Sequence, residues 1–374
     1  MKIKQNKNIL KDGDRHINYQ LVHDFKGKGK NCKAGLINRI TGEVVVDYLY
    51  DAIWRFNDGL CRVIKDMKSN QYSFIDKTGA EIIPPLTQYD FVDDFSEGLA
   101  LVKSNDKFGY IDTTGDLVIP LKYTGANRFK ESLAAVILFI PNSDDQFGVL
   151  RYGFIDKSGR EVVPFRYRHV QDFKDGLAIV CVKDGEDYKY GFIDKTSEVV
   201  IPIMYDWLDT YFIDGLCNVK LGDKYGFINK RGEVVIPIMY DCLGTYFIDG
   251  LCCAGIFTEI ERFIDRDGIE RVKLDKKYGF INKKGEWKIQ PKYRSVGCFY
   301  KGLCRVGING KKGLINRNGK IVLPIIYNEI EYHSFSKARV RLNGEWFLAK
   351  KKIYRKKKPQ IIEESLTIIS TFPK

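Results

Sequence analysis

Residues 224–241 read KYGFINKRGEVVIPIMYD, and residues 189–206 read KYGFIDKTSEVVIPIMYD. Fifteen of the eighteen positions are identical, at an offset of 35 residues. Within the stretch, YGFIN is short and aromatic, while EVVIP is β-branched and stops at proline. KRG lies between them and supplies a glycine for a tight hairpin. Two strands joined by a turn are the expectation. So small a unit cannot bury an apolar face alone, and a duplicated one can stack on its copy.

The same pattern recurs along the chain. It runs Lys-aromatic-Gly-aromatic-Ile-Asp/Asn, a turn, Val-Val-Ile-Pro-x-x-Tyr-Asp, a spacer, then Phe-x-x-Gly-Leu-Ala/Cys-x-Val. Its first glycine falls at Gly35, Gly109, Gly153, Gly191, Gly226, Gly279 and Gly313, with Ser73 in one copy, giving eight copies. Their spacings are 38, 36, 44, 38, 35, 53 and 34 residues. The proline recurs from Pro84 to Pro324 and is expected at a strand end or exposed edge. Spacers such as YDFVDDF from Tyr89 offer a fourth short strand. Copies three and eight degrade the Phe-x-x-Gly-Leu element, at Ser132 and Ala338.

The fold expectation is all-β: about eight tandem β-meanders in an open, curved superhelical array, with a closed β-propeller as the alternative. The array spans residues 33–349, with inserts near 137–150 and 254–276. The second insert contains RFIDRDG, an echo of the GFIDKTG turn, and reads as a hairpin grown out of the array. Asp265 and Asp267 lack the rest of a calcium loop, so a plain turn is expected there.

The net charge of +13 is unevenly placed. Residues 1–34 carry +6, residues 350–374 another +6, and the remaining 315 only +1. Residues 1–32 read as a basic segment with a first strand, and 350–374 as a basic tail. The clusters at Lys26, Lys28 and Lys30, and at Lys351, Lys352, Arg355, Lys356, Lys357 and Lys358, are the candidate partner- or phosphate-binding residues. No apolar run suits a membrane helix, no secretory leader is evident, and a cytoplasmic location is expected. Four of the nine cysteines (Cys61, Cys217, Cys252 and Cys304) follow the same Gly-Leu pair and read as small buried side chains.

These residues resemble bacterial WG-repeat (KWG-type) proteins over roughly residues 33–350, usually with Tyr or Phe where the family name has Trp. The resemblance implies a β-repeat array with an interaction role and carries over no catalytic residue.

Catalytic chemistry finds no constellation. His16, His23, His169 and His333 are scattered, and KGKGK lacks the spacing of a phosphate loop. The recurring carboxylate at Asp76, Asp112, Asp156 and Asp194 is Asn at positions 38, 229, 282 and 316, which suits a turn and not proton transfer. The recurring Tyr and Phe read as inter-repeat core, with a base- or sugar-stacking surface as the alternative. The expectation is a non-catalytic macromolecule-binding scaffold with no cofactor, metal or small-molecule substrate. Its partner would be an acidic protein surface or a nucleic-acid-containing complex. The alternative is a nucleic-acid-associated regulator, such as an inhibitor or accessory protein of a nucleic-acid enzyme, bound through the basic ends.

Overall fold

The computed structural model describes residues 21–26, 33–38, 41–68, 71–141, 148–267, 269–334, 337–352 and 365–371. Every regular element among the described residues is a β-strand. A three-stranded sheet comes first, and eight four-stranded sheets follow, each with its strands in sequence order. The ladders are antiparallel, and no sheet closes on itself. The reading as all-β meanders in tandem holds.

The chain divides into two compact units, residues 1–178 with 195–197, and residues 179–194 with 198–374. The division falls inside the sheet that begins at His169–Val170 and ends at Val199–Tyr205.

Sequence copies and sheets are out of phase. KYGFIN and VVIPIMY form the third and fourth strands of one sheet, Lys224–Asn229 and Val234–Tyr240. The chain then enters the next sheet through a short first strand, Cys242–Leu243, and a second strand, Cys252–Ile264. Each copy therefore straddles two sheets and ties them together. The second strand of that sheet and its partner, Glu270–Ile281, form the long hairpin expected from the insert. At its tip the Asp265 carboxylate accepts the amides of Asp267 and Ile269, at 2.9 and 3.0 Å, repeating the turn chemistry of the array.

Three local devices shape each sheet. In the third-to-fourth turn, the Asp or Asn side chain accepts backbone amides two and four residues on. Asp156 takes Ser158 and Arg160 at 3.0 and 3.1 Å, and Asn316 takes Asn318 and Lys320 at 3.0 and 2.9 Å. Either side chain serves, which accounts for the exchange. The Phe-x-x-Gly-Leu element is a two-residue hairpin turn with φ > 0 at both central positions, as at Asp58 and Gly59 (50° and 85°). Ser132 adopts the same geometry at 72°.

The third device is a bulge at the proline. Tyr225 pairs with Tyr240 and Phe227 with Ile236, so between these pairs the single residue Gly226 faces three residues, 237–239, on the other strand. The proline thus lies inside the fourth strand, which continues three residues beyond it on the sheet edge. The bulge drives backbone onto the motif glycine. A β-carbon on Gly226 would lie 2.7 Å from the Ile236 carbonyl oxygen, and one on Gly153 only 2.5 Å from that of Val163. The copy with Ser73 is the exception that explains the rule: there Tyr72 pairs with Leu86 and Phe74 with Ile83, and the bulge is one residue shorter.

The cores lie between consecutive sheets. Phe74 meets Phe95 edge-on at 4.8 Å, and Phe280 meets Phe299 at 4.8 Å, each pair joining a third strand to the segment before the next second strand. The motif aromatics are therefore interior. The small residues Ala100, Ala134, Cys61, Cys217, Cys252 and Cys304 are all buried at their sides. Burial pushes these four thiols up to about 12. Each also donates to a carbonyl in the first strand or one residue past it, as Cys61 does to Trp54 at 3.1 Å and Cys217 to Asp209 at 3.4 Å.

Candidate binding surface

Lys26 ends the strand Leu21–Lys26, and Lys28 and Lys30 lie outside the described residues. Lys351 and Lys352 end the strand Glu345–Lys352. Arg355, Lys356, Lys357 and Lys358 lie outside the described residues. Ser365–Thr371 pairs with Glu345–Lys352 as the fourth strand of the last sheet, with Lys351 opposite Leu366 and Lys352 opposite Ser365.

A different surface emerges from the segment that enters each sheet, on either side of the Phe that meets the preceding sheet. The aligned positions flanking that Phe are Asp94 and Ser96, Arg128 and Lys130, and Asp172 and Lys174 in the first unit. In the second unit they are Tyr211 and Ile213, Tyr246 and Ile248, and Cys298 and Tyr300. In each case the Phe packs against an aromatic ring of the preceding sheet, as Phe95 does on Phe74, Phe129 on Tyr110 and Phe247 on Phe227.

In the first unit this row spends its charge internally. Arg62 is 7% exposed and stacks over the Trp54 ring at 4.3 Å. Its Nε lies 3.0 Å from Asp94 and its Nη1 3.6 Å from Asp93. Arg128 closes the cluster from outside, at 2.6 Å from Asp93 and 3.1 Å from Asp94. Burial opposes ionisation of Asp93, but Arg128 and Arg62 outweigh it and hold its carboxyl below the usual range. Farther along, the Asn127 amide donates to Asp172 at 2.8 Å.

In the second unit the row is apolar and open. Tyr211, Tyr246 and Tyr300 are 47%, 48% and 56% exposed, and Ile213 is 43% exposed. Beside them, the turn carboxylates Asp214 and Asp249 pair with Lys283 and Arg317 at 3.0 and 2.6 Å, forming a charge-compensated rim. The buried Asn218 donates to the Gly244 carbonyl at 3.0 Å, where the first unit has its Arg62 cluster. Among the described residues, no group of three or more His, Cys, Asp or Glu is placed to hold a metal ion. Aromatic counting alone could not separate these exposed tyrosines from the buried ones. Aligning the copies on the Phe of the entering segment does, since each of these three Tyr sits immediately beside it.

Comparisons with known proteins agree with the repeat architecture. The WG-containing repeat matches residues 35–68, 72–108, 108–138, 152–185, 190–225, 225–254, 278–311 and 313–346. No curated protein sequence matches the chain. Among solved structures, a eukaryotic initiation factor aligns over 91% of this chain and 95% of its own, at 11% identity and a TM-score of 0.37. Hsv2p of Kluyveromyces lactis aligns over 65% and 91%, at 11% identity and a TM-score of 0.29. Likeness at that level supports no functional transfer. With eight matched copies covering most of its length, the chain belongs to the WG-repeat family.

Proposed function

We propose that this chain is a non-catalytic scaffold that binds a protein partner through the aromatic row of its second unit. The observation that carries the reading is the recurrence of an exposed Tyr next to the Phe that meets the preceding sheet, in three consecutive sheets: Tyr211 and Tyr246 just before Phe212 and Phe247, and Tyr300 just after Phe299. A tyrosine offers an apolar body and a hydroxyl, and it is enriched in protein interfaces for that reason. Flanking Ile213 adds apolar area, and the paired charges at Asp214–Lys283 and Asp249–Arg317 suit a polar rim. The recurring carboxylates support a role without catalysis, because they are engaged in turns.

The test compares three full-length proteins in nuclease-treated lysate: wild type, Y211S/Y246S/Y300S, and a variant with Lys351, Lys352, Arg355, Lys356, Lys357 and Lys358 changed to Glu. Capture lost in the tyrosine variant and kept in the charge-reversed one is the expected result. Capture abolished by nuclease, or lost only on charge reversal, would favour a nucleic-acid-associated regulator instead.

A further inference from the structure

Five of the nine cysteines fall between residues 242 and 304, at positions 242, 252, 253, 298 and 304. Two of them occupy a junction that is filled differently elsewhere. The residue before the valine of Gly-Leu-Ala/Cys-x-Val reaches from its own sheet to the entering segment of the next. Arg62 there meets Asp94 at 3.0 Å, and Asn218 meets the Gly244 carbonyl at 3.0 Å. At the next junction the residue equivalent to Arg62 and Asn218 is Cys253, and the residue equivalent to Asp94 is Cys298.

Cys253 packs against the core of the following sheet, beside a cluster containing Phe299, Cys304 and Val306. Cys298 is exposed on that sheet's entering segment, one residue before Phe299. We infer that Cys298 and Cys253 form a reversible disulfide that fastens these two sheets, with Cys298 as the entry thiol and Cys253 as the resolving thiol. A low-molecular-weight disulfide is the oxidant. The Cys298 thiolate attacks one of its sulfurs, expels one small thiolate and leaves a mixed disulfide. The Cys253 thiolate then attacks the Cys298 sulfur and expels the second. Two protein thiols lose two protons and two electrons, and the small disulfide becomes two thiols. Burial pushes the Cys253 thiol up to about 12, with the thiols at positions 242, 252, 304 and 298 adding to it, so the second step should quicken about tenfold per pH unit between pH 7 and 9.

Full-length protein would be incubated with glutathione disulfide at pH 8, digested without reduction and analysed by mass spectrometry. The expected product is a cross-linked peptide pair containing Cys253 and Cys298. A thermal midpoint raised by roughly 5 °C and reversed by dithiothreitol should accompany it. The C253S variant should stop at a glutathione adduct on Cys298 without that rise. The C298S variant, changed only at the surface, should form neither product. A wild-type protein that accumulates only the Cys298 adduct, or that joins Cys253 to Cys242, overturns the inference.

Discussion

The two units of this chain are built from the same repeat, yet they use the residues beside the Phe of the entering segment in opposite ways. In the first unit Asp94 and Arg128 at these positions pair with each other, and Asp93 and Arg62 complete the cluster. In the second they are tyrosine and isoleucine facing water, as at Tyr211, Ile213 and Tyr246. The scaffold positions are unchanged, since Phe95 and Phe247 are both held between sheets. The repeat therefore separates two jobs. Its glycines, bulges and turn carboxylates maintain stacking, and a few variable neighbours decide whether a junction is closed by charge or left facing water.

The largest effect should come from breaking the closed junction. Arg62→Met removes the buried partner of Asp93 and Asp94, leaves them only Arg128 on the outer side, and should cost about 3 kcal/mol in the first unit. Asn218→Ala, at the equivalent position of the second unit, should cost about 1–2 kcal/mol for its lost hydrogen bond. Denaturant unfolding of both variants checks the ranking, and equal costs would erase the distinction between junctions.

Next comes the bulge. Gly226→Ala should cost about 1–3 kcal/mol, because its β-carbon would be forced against the Ile236 carbonyl. Ser73→Gly should be nearly neutral, because the shorter bulge there already admits a side chain.

Acid should also tell the units apart. Hydrogen bonds from Thr78, Thr114 and Ser158, hydroxyl and amide, hold Asp76, Asp112 and Asp156 below the usual carboxylate range. The folded state thus gives up these protons more readily than the unfolded chain. Stability from these turns is complete above about pH 4 and is lost as pH falls through the folded-state values. Asn229, Asn282 and Asn316 do not titrate. On acidification, amide exchange protection at Gly79, Gly115 and Gly159 should fall before that at Gly232, Gly285 and Gly319, all of which donate to the turn carbonyl. Simultaneous loss at both sets would show that the carboxylates contribute nothing.

The smallest effect is a gain. Ser132 sits at φ 72°, where its β-carbon is disfavoured, so Ser132→Gly should raise stability by about 0.5–1 kcal/mol. Thermal melting of the variant checks it.

Much of this architecture was legible in the sequence because the repeat devices are local. The Asx turn needs only its Asp or Asn and the next four residues, and the hairpin turn needs only two residues at φ > 0. The strand content followed from short β-branched and aromatic segments. The phase between copy and sheet was not legible, because a motif written from Gly-Phe-Ile gives no sign that its last strand belongs to the next sheet. The reason for the motif glycine was equally hidden, since it lies on the opposite strand of the bulge. Charge pointed to the ends of the chain, where net imbalance is visible. The tyrosine row carries no net charge, and it separates from the core only once the structure shows Tyr211, Tyr246 and Tyr300 about half exposed.

The central claim is that the second unit's entering segments are the binding face. Hydrogen exchange of the full chain, with and without the partner captured in the nuclease-treated assay, tests it most directly. The account predicts slowed exchange in residues 209–215 and 244–250, with residues 93–98 and 127–132 unchanged. Slowing confined to the first unit or to residues 345–371, with the tyrosine segments unaffected, would contradict it.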